Sequence, residues 1–437
     1  MAKRYLDQNV YEATEERIRM LFDRFDNILI SFSGGKDSTV CLHFCYKIAK
    51  DKNMLSKLAF FYMDYEADYS ETDKFISKCF YEEYTDVLRK YWICLPISAQ
   101  CSCSMSNPFW IPWDKDKKDI WVKDMPVKWC INEDNVPFKF IKGTYGKDTR
   151  INFTKWFSGK YGKTAVVIGI RCDESLNRLA ILTSTHRSNM YEGIKWSKKL
   201  NDNLYSFYPI YDWNVRDIWI ANGKFGWDYN KAYDLMYMAG LTIDQMRIAS
   251  PFHSCGQESL KLYRVLSPDT WGKMVSRVNG ANFMNIYGGT NATGYRNIKK
   301  PDGYSWKSYA MFLLATLPPN IKKRFEDNIS MKMKEWNTKG YGRNPRVIKE
   351  MEDEGIIIEK TGKIAKNCIK DDIYQIVKIK GDMPDETNIE DFRHCPNWKD
   401  VVITILKNDY TCQYMGFGKT KKDIEKREET MKRYESL

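Results

Sequence analysis

Asn27-Ile28-Leu29-Ile30-Ser31-Phe32-Ser33-Gly34-Gly35-Lys36-Asp37-Ser38 is the stretch that sets the fold. Its first six residues are apolar and β-rich and stop at a glycine pair, which predicts a short buried strand ending in a tight turn. From Ser38 to Lys50 the apolar residues return at helical spacing, giving the order strand, glycine loop, helix. A nucleotide phosphate needs converging N–H donors, and a helix N-terminus supplies them together with the positive end of its dipole. Gly34 and Gly35 let the backbone approach an anion and adopt the conformations of a concave nest. Lys36 adds a point charge, while Ser33 and Ser38 can bond phosphate oxygens or cap the helix. Asp37 is placed to hold a magnesium ion bridging phosphates. Neither Gly-x-x-x-x-Gly-Lys nor Gly-x-Gly-x-x-Gly occurs here, so the loop is neither of the two commonest phosphate loops.

Working outward, Val10, Ala13, Ile18, Met20, Leu21 and Phe25 mark a helix before the strand. Leu58–Met63 is a second strand, closed by Asp64, and a helix through Glu71–Arg89 leads to a third strand at Tyr91–Leu95. Ala165–Ile170 is the fourth. Strands alternating with helices predict an α/β fold with a doubly wound, mostly parallel sheet. Residues 98–160, rich in Trp, Pro, Lys and Asp, read as long loops with short helices near the ligand. From about 215 the pattern becomes helical, over 228–248, 257–279, 303–317 and 320–338. Beyond 340, Gly355–Ile358 and Ile373–Ile379 read as short strands and 397–409 as a helix. The organisation expected is a nucleotide-binding domain over 1–220, a helical domain over 221–340, and a C-terminal α+β region over 341–437.

The 437 residues are 43% hydrophobic, enough for more than one core. No apolar run approaches the roughly 20 residues of a membrane helix, and Met1–Val10 lacks a signal-peptide core. A soluble, cytoplasmic protein with no membrane partner is expected. Twelve cysteines occur without a C-x-x-C, and four histidines without ligand spacing, which argues against an iron–sulfur cluster and against zinc. The net charge of +12 is concentrated: residues 291–350 carry thirteen Lys/Arg against five Asp/Glu. That excess suits a nucleic acid or an acidic protein, or else a solvated helical surface.

Gly169-Ile170-Arg171-Cys172-Asp173-Glu174-Ser175-Leu176-Asn177-Arg178 follows the fourth strand. In a helix, Arg171, Glu174 and Arg178 would share one face. Two guanidiniums there can fork onto phosphate or sulfate oxygens with Glu174 orienting one of them. The position is also the carboxyl end of a strand, where open α/β sheets bind ligands.

Ser-Gly-Gly-x-Asp-Ser after a buried strand resembles the PP-loop of the ATP-pyrophosphatase superfamily. Gly-x-Arg-x-x-Glu-Ser-x-x-Arg at 169–178 resembles the phosphoadenosine phosphosulfate (PAPS) reductase family and the small subunit of ATP sulfurylase. Met63-Asp64-Tyr65 through Tyr69-Ser70-Glu71-Thr72 is similar to that family's second-strand segment, with Ser70 in place of a proline. Pro209-Ile210-Tyr211-Asp212-Trp213 with Asp217-Ile218-Trp219 is similar to its closing segment. The resemblance implies an adenine nucleotide alpha hydrolase-like fold that binds ATP or PAPS. It implies a binding set of Ser33, Gly34, Gly35, Lys36, Asp37, Ser38, Asp64, Arg171, Glu174, Ser175 and Arg178, with Mg²⁺ on Asp37.

The sequence departs from a reductase of that family in its cysteines. The nucleophile's context, Glu-Cys-Gly-Leu-His, has its nearest match in His253-Ser254-Cys255-Gly256-Gln257-Glu258, mid-chain. Cys255 is either a thiolate activated beside His253 or a buried thiol at a helix start. Cys130 stands single where related iron–sulfur reductases carry a pair. Downstream, Asn297–Ala310 and Pro396-Asn397-Trp398 through Cys412 resemble bacterial and phage PAPS-reductase-like proteins of the immunoglobulin-binding-regulator A type. Some of these are described as co-activators of prophage gene expression, with a ParB-like protein as neighbour. Lys299, Lys300, Trp306 and Lys307 interleave cation and aromatic, as a nucleic-acid contact does. Trp306, Tyr309, Phe312 and Leu313 also have the spacing of a helical core stripe.

Two functions follow as expectations. In one, the loop binds ATP–Mg and AMP is transferred to an acceptor, with Lys36 and Asp37 catalytic and Asp64 assisting the metal; a variant binds a sulfonucleotide, with Cys255 as the catalytic thiol. In the other, the protein is a nucleotide sensor that recruits DNA or a ParB-like partner.

Overall fold

The computed structural model describes residues 6–104, 107, 109–174, 178–179, 189–253, 260–282, 284, 298–365, 374–389, 395–407 and 409. Two compact units form. The first comprises Met1–Ala99, Phe109–Pro251 and Ser259–Val278; the second comprises Gln100–Pro108, Phe252–Glu258 and Asn279–Leu437. These units do not follow the three segments set out from the sequence, because the helices just beyond 220 cluster with the sheet.

The first unit is built on a seven-stranded sheet of β1 (Asn27–Phe32), β2 (Leu58–Met63), β3 (Arg89–Ile93), β4 (Cys130–Ile131), β5 (Thr164–Val167), β6 (Ser197–Asn201) and β7 (Leu204–Phe207). The spatial order is β4-β3-β2-β1-β5-β7-β6. Every pairing is parallel except the edge hairpin β6–β7. The mostly parallel, doubly wound sheet expected from the sequence is therefore present, and β1 and β2 have the expected bounds. From β1 the order runs outward both ways, to β2 and to β5. The crevice between the carboxyl ends of β1 and β5 is thus the topological switch point where such sheets take ligands.

Both faces of the sheet are covered at its centre, which is why β1, β2 and β5 are almost continuously apolar. Ile28, Ile30 and Phe32 pack with Ile18, Leu21, Val40 and Phe44 of α1 (Val10–Arg24) and α2 (Lys36–Asp51). On the opposite face Leu29, Ala59 and Phe61 meet Phe153 and Phe157 of α4 (Gly146–Tyr161). α4 corrects the expectation of loops and short helices over 98–160. Its apolar residues were diluted by Lys, Thr and Gly, which hid the period.

The helix expected over Glu71–Arg89 is shorter. α3 (Ser70–Lys78) runs into one π-helical turn at Cys79–Glu83, and Arg89 already belongs to β3. Three further changes follow from chain-breaking residues or short strands. Gly240 (φ +90°) follows α6 (Ala232–Met238), cutting the expected helix 228–248. Pro268 begins α8 (Pro268–Arg277) just after α7 (Leu260–Leu266), dividing 257–279. The hairpin β6–β7 was not foreseen, because its strands are short and polar at the edge.

The closing segment of the family-like half is structural. Asp217 and Asn214 form a capping box on α5 (Val215–Phe225). Asp212 takes both ends of the Arg17 guanidinium at 2.7 and 2.6 Å. Trp213 Nε1 donates to Thr14 Oγ1 at 2.9 Å.

The second unit contains α9 (Trp306–Thr316), α10 (Pro319–Thr338), α11 (Pro345–Asp353) and α12 (Trp398–Leu406). Its three-stranded antiparallel sheet has the order β8 (Tyr341–Arg343), β10 (Gln375–Ile379), β9 (Ile358–Ile364). Trp336, Val347, Ile348, Met351, Val377 and Ile379 form a core of their own. Among the described residues no helix is long and apolar enough to cross a membrane.

Candidate functional site

β1 delivers the chain to Ser33 at the switch point. Gly34 takes φ +67°, a left-handed conformation that costs other residues about 1–2 kcal/mol, and a Cβ there would stand 3.0 Å from Ile76. Gly35 is the N-cap of α2 and makes no side-chain cap. Ser38 Oγ instead folds back, accepting from the Ser33 N–H at 3.1 Å, lying 2.9 Å from Ser33 Oγ and donating to the Gly35 carbonyl at 3.0 Å. Both serines are thereby spent on shaping the loop. The N–H groups of Asp37 and Ser38 lie in the first turn of α2, where a helix offers no carbonyl to them.

Lys36 is 5% exposed. Its ammonium lies 3.5 Å from the Met246 carbonyl and 3.4 Å from Asp37 Oδ2, and 5.5 Å from the Tyr233 ring centre. No partner closer than these is present among the described residues, so a nearly buried cation is only loosely compensated.

Arg171, 3% exposed, is held between two carboxylates. Its Nε donates to Asp37 Oδ1 at 2.5 Å and its Nη1 to Asp173 Oδ1 at 2.5 Å. Burial works against its charge, yet the Asp37 and Asp173 carboxylates outweigh burial and hold the guanidinium above its ordinary pKa. Burial raises the Asp173 carboxyl, an effect that Arg171 only partly offsets. Asp173 Oδ2 also accepts the Val215 N–H at 3.1 Å, tying the segment to α5. Residues 171–174 form a turn rather than a helix, so Arg171 and Glu174 are not set on one helical face. Arg178 is 39% exposed in its side chain and lies 3.5 Å from Glu174. Ser175 lies outside the described residues.

Gly169 explains how β5 and α2 come so close. A Cβ at Gly169 would lie 2.7 Å from the Asp37 carbonyl carbon and 2.8 Å from the Ser38 nitrogen.

Two residues beyond 220 complete the loop, and nothing in the sequence pointed to them. Asn230 Nδ2 donates to the Gly34 carbonyl at 3.0 Å and to Thr72 Oγ1 at 2.9 Å. The Tyr233 hydroxyl accepts the Lys36 N–H at 3.0 Å.

Asp64 does not face the loop's cations. Its Oδ1 accepts the Glu66 N–H at 2.7 Å, and its Oδ2 takes Trp92 Nε1 at 2.8 Å and Lys123 Nζ at 3.0 Å. Lys123 also pairs with Asp68 at 3.3 Å and with Asp73. Burial opposes the Lys123 charge, but the three carboxylates hold it well above its ordinary pKa. One ammonium cannot neutralise three carboxylates. Burial therefore raises Asp64, and raises Asp73 to about 7. Beside this cluster, Glu66 (φ +68°) and Arg277 form a fully buried bidentate pair at 2.8 and 3.1 Å. Glu66 also accepts the Trp113 and Val122 N–H groups at 2.7 and 3.1 Å.

The two carboxylates assigned to magnesium from the sequence are both engaged: Asp37 is flanked by the Arg171 guanidinium and the Lys36 ammonium, and Asp64 is filled. Cys130, on β4, accepts a hydrogen bond from the Cys94 thiol, and that bond lowers its pKa. Cys255 lies outside the described residues. His253 is described, and burial lowers its pKa.

In the second unit the two segments quoted for the phage-type resemblance come together where they are described, with the Lys307 ammonium 5.7 Å from the Trp398 ring centre and that of Lys399 5.3 Å from Trp306. Asp385 accepts the N–H groups of Trp306 and Lys307 at 2.9 and 2.8 Å, capping α9. Lys307 pairs with Asp382 at 2.6 Å, and Lys300 approaches Asp385 at 3.9 Å. Trp306 is 4% exposed and Phe312 51%. Lys300 and Lys307 thus have acidic neighbours, and Trp306 belongs to the core.

The glycine loop on a parallel sheet, opening at its switch point, defines a PAPS-reductase-like nucleotide-binding fold. In agreement, the family described as "Phosphoadenosine phosphosulfate reductase domain" matches residues 27–90, and a "Domain of unknown function (DUF3440)" matches residues 240–426. The chain is 31% identical over 420 residues to the Escherichia coli K12 protein described as "Uncharacterized protein YbdN", covering 95% of this chain and 92% of that one. It belongs to the family of YbdN. Among solved structures it is similar to a PAPS reductase of Candida auris in a phosphate complex (10% identity, 54% of this chain and 95% of that one, TM-score 0.29). It is also similar to an FMN adenylyltransferase of Candida glabrata (14% identity, 53% and 62%, TM-score 0.27). At such low TM-scores neither likeness bears on function.

Proposed function

We propose that the first unit binds the phosphates of ATP on the Ser33–Ser38 loop and transfers the adenylyl group to an acceptor oxygen. The observation that carries this reading is Lys36, a nearly buried ammonium whose nearest partners stand at 3.4 and 3.5 Å, at a helix N-terminus where the Asp37 and Ser38 N–H groups are open to an anion. In the reaction the acceptor oxygen bonds to the α-phosphorus, the α–β bridging bond breaks, and pyrophosphate leaves with its electron pair. Lys36 and the first-turn N–H groups stabilise the charge developing on that leaving group. Arg171 holds Asp37 and the start of α2 in place. Arg178, the more exposed guanidinium and paired with Glu174, is assigned a second anionic group. No step is assigned to magnesium.

Mass spectrometry of the nucleotide pool, after incubating the full chain with ATP or PAPS in magnesium buffer, tests the reading. Pyrophosphate is expected from ATP, with AMP where water takes the acceptor's place. Adenosine 3′,5′-bisphosphate from PAPS would replace it with sulfonucleotide chemistry, and a nucleotide bound but returned intact would replace it with the sensor. Absence of any binding overturns it.

A further inference from the structure

We infer that Tyr233 is a phosphate-positioning residue, its phenol donating a hydrogen bond to the anion held at the N-terminus of α2. The inference rests on the ATP-binding reading above and extends it to a residue far outside the glycine loop.

The hydroxyl has a defined direction. Its oxygen accepts the Lys36 N–H at 3.0 Å, so a lone pair is spent and its own hydrogen remains to be donated. No acceptor for that hydrogen is present among the described residues, although Tyr233 is only 2% exposed. A buried donor without an acceptor is costly enough that native structures seldom keep one without a use. The hydroxyl also lies over the loop, 3.4 Å from where a Gly35 Cβ would stand, and the Lys36 ammonium approaches the same ring. Burial, with the Asp37 carboxylate nearby, raises the Tyr233 pKa and keeps the group a donor.

The surroundings add to this. Trp219 packs edge-on against Tyr233 at 5.4 Å, and its buried Nε1 likewise has no acceptor among the described residues. Asn230, three residues earlier, anchors the same segment to the Gly34 carbonyl, so the phenol is held rather than draped over the loop. The competing view is that the Tyr233 oxygen occupies an anion's place and must leave before a phosphate can bind. The two views predict opposite signs.

The test is ATP affinity of the full-length Tyr233→Phe variant against wild type, with adenosine as a phosphate-free probe. A neutral donor bonded to a charged acceptor should weaken ATP binding about tenfold on removal, with adenosine unaffected. Unchanged or tighter ATP binding overturns the inference while leaving the ATP site standing. Failure of wild type to bind ATP overturns both. Tyrosine difference absorbance in wild type gives a readout independent of the variant's folding. Donation to an anion shifts the phenol band to the red on ATP addition, and a missing shift overturns the inference.

Discussion

Arg171 Nε donates to Asp37 Oδ1 at 2.5 Å, joining the chain that leaves β5 to the first turn of α2. The pair spans the switch point of the sheet, and its guanidinium is almost wholly buried. A phosphate loop is useful only if its donors are fixed before the ligand arrives. This ion pair fixes them from the neighbouring strand.

Asp37→Ala leaves the buried guanidinium with Asp173 alone. Stability should fall by about 2 kcal/mol in urea denaturation, the scale of a charged hydrogen bond lost. ATP affinity should fall equally with magnesium and with a chelator. A loss seen only with magnesium would return Asp37 to the role of metal ligand.

Gly169→Ala places a methyl 2.7 Å from the Asp37 carbonyl carbon, against backbone that cannot swing aside. A cost of about 1–3 kcal/mol is expected, together with weaker ATP binding, because α2 must shift. Calorimetric binding and thermal melting of the same preparation check both. Full affinity in a destabilised variant would show that the loop is insulated from β5.

Glu66→Gln removes one charge of the fully buried pair and strands Arg277. A loss of about 3–5 kcal/mol is expected in denaturant. Arg24→Ala, which breaks an exposed pair with Glu192, should change stability by about 0.5 kcal/mol or less. Similar costs for the two would mean that Glu66 is hydrated.

Asp73, with a folded pKa of about 7 against an ordinary 3.8, keeps in the folded state a proton that the unfolded chain has already released. The folded state therefore binds more protons across that interval, and this group's contribution to stability is lost as pH rises from about 4 to about 7. Asp73→Asn should flatten that part of the stability profile. An unchanged slope would mean that Lys123 keeps Asp73 ionised throughout.

The sheet was legible because β1 and β2 are buried on both faces and so read as unbroken apolar runs bounded by Gly34 and Asp64. α4 and β6–β7 were not, since Lys and Thr dilute the first and the second is a polar edge. At the site, Ser33–Ser38 and Arg171 were readable from local spacing, and the structure does bring Asp37 and Arg171 together. The direction of Arg171 was not readable, because it turns on Asp173 and on whether 171–174 coils into a helix. Lys123, Arg277, Asn230 and Tyr233 left no local trace. Each meets its partner across 50 residues or more, and a single sequence carries no record of such pairings.

The bond from Asn230 to the Gly34 carbonyl makes the loop a joint product of two distant stretches of gene. A fragment ended near residue 220, where the sequence suggests a boundary, would lose that clasp along with the phenol above Lys36. Its glycines would be free to sample shapes with no affinity for phosphate. Dissection of this protein should therefore keep 230–233 together with the loop, and inheritance should pass the two stretches on as a single unit.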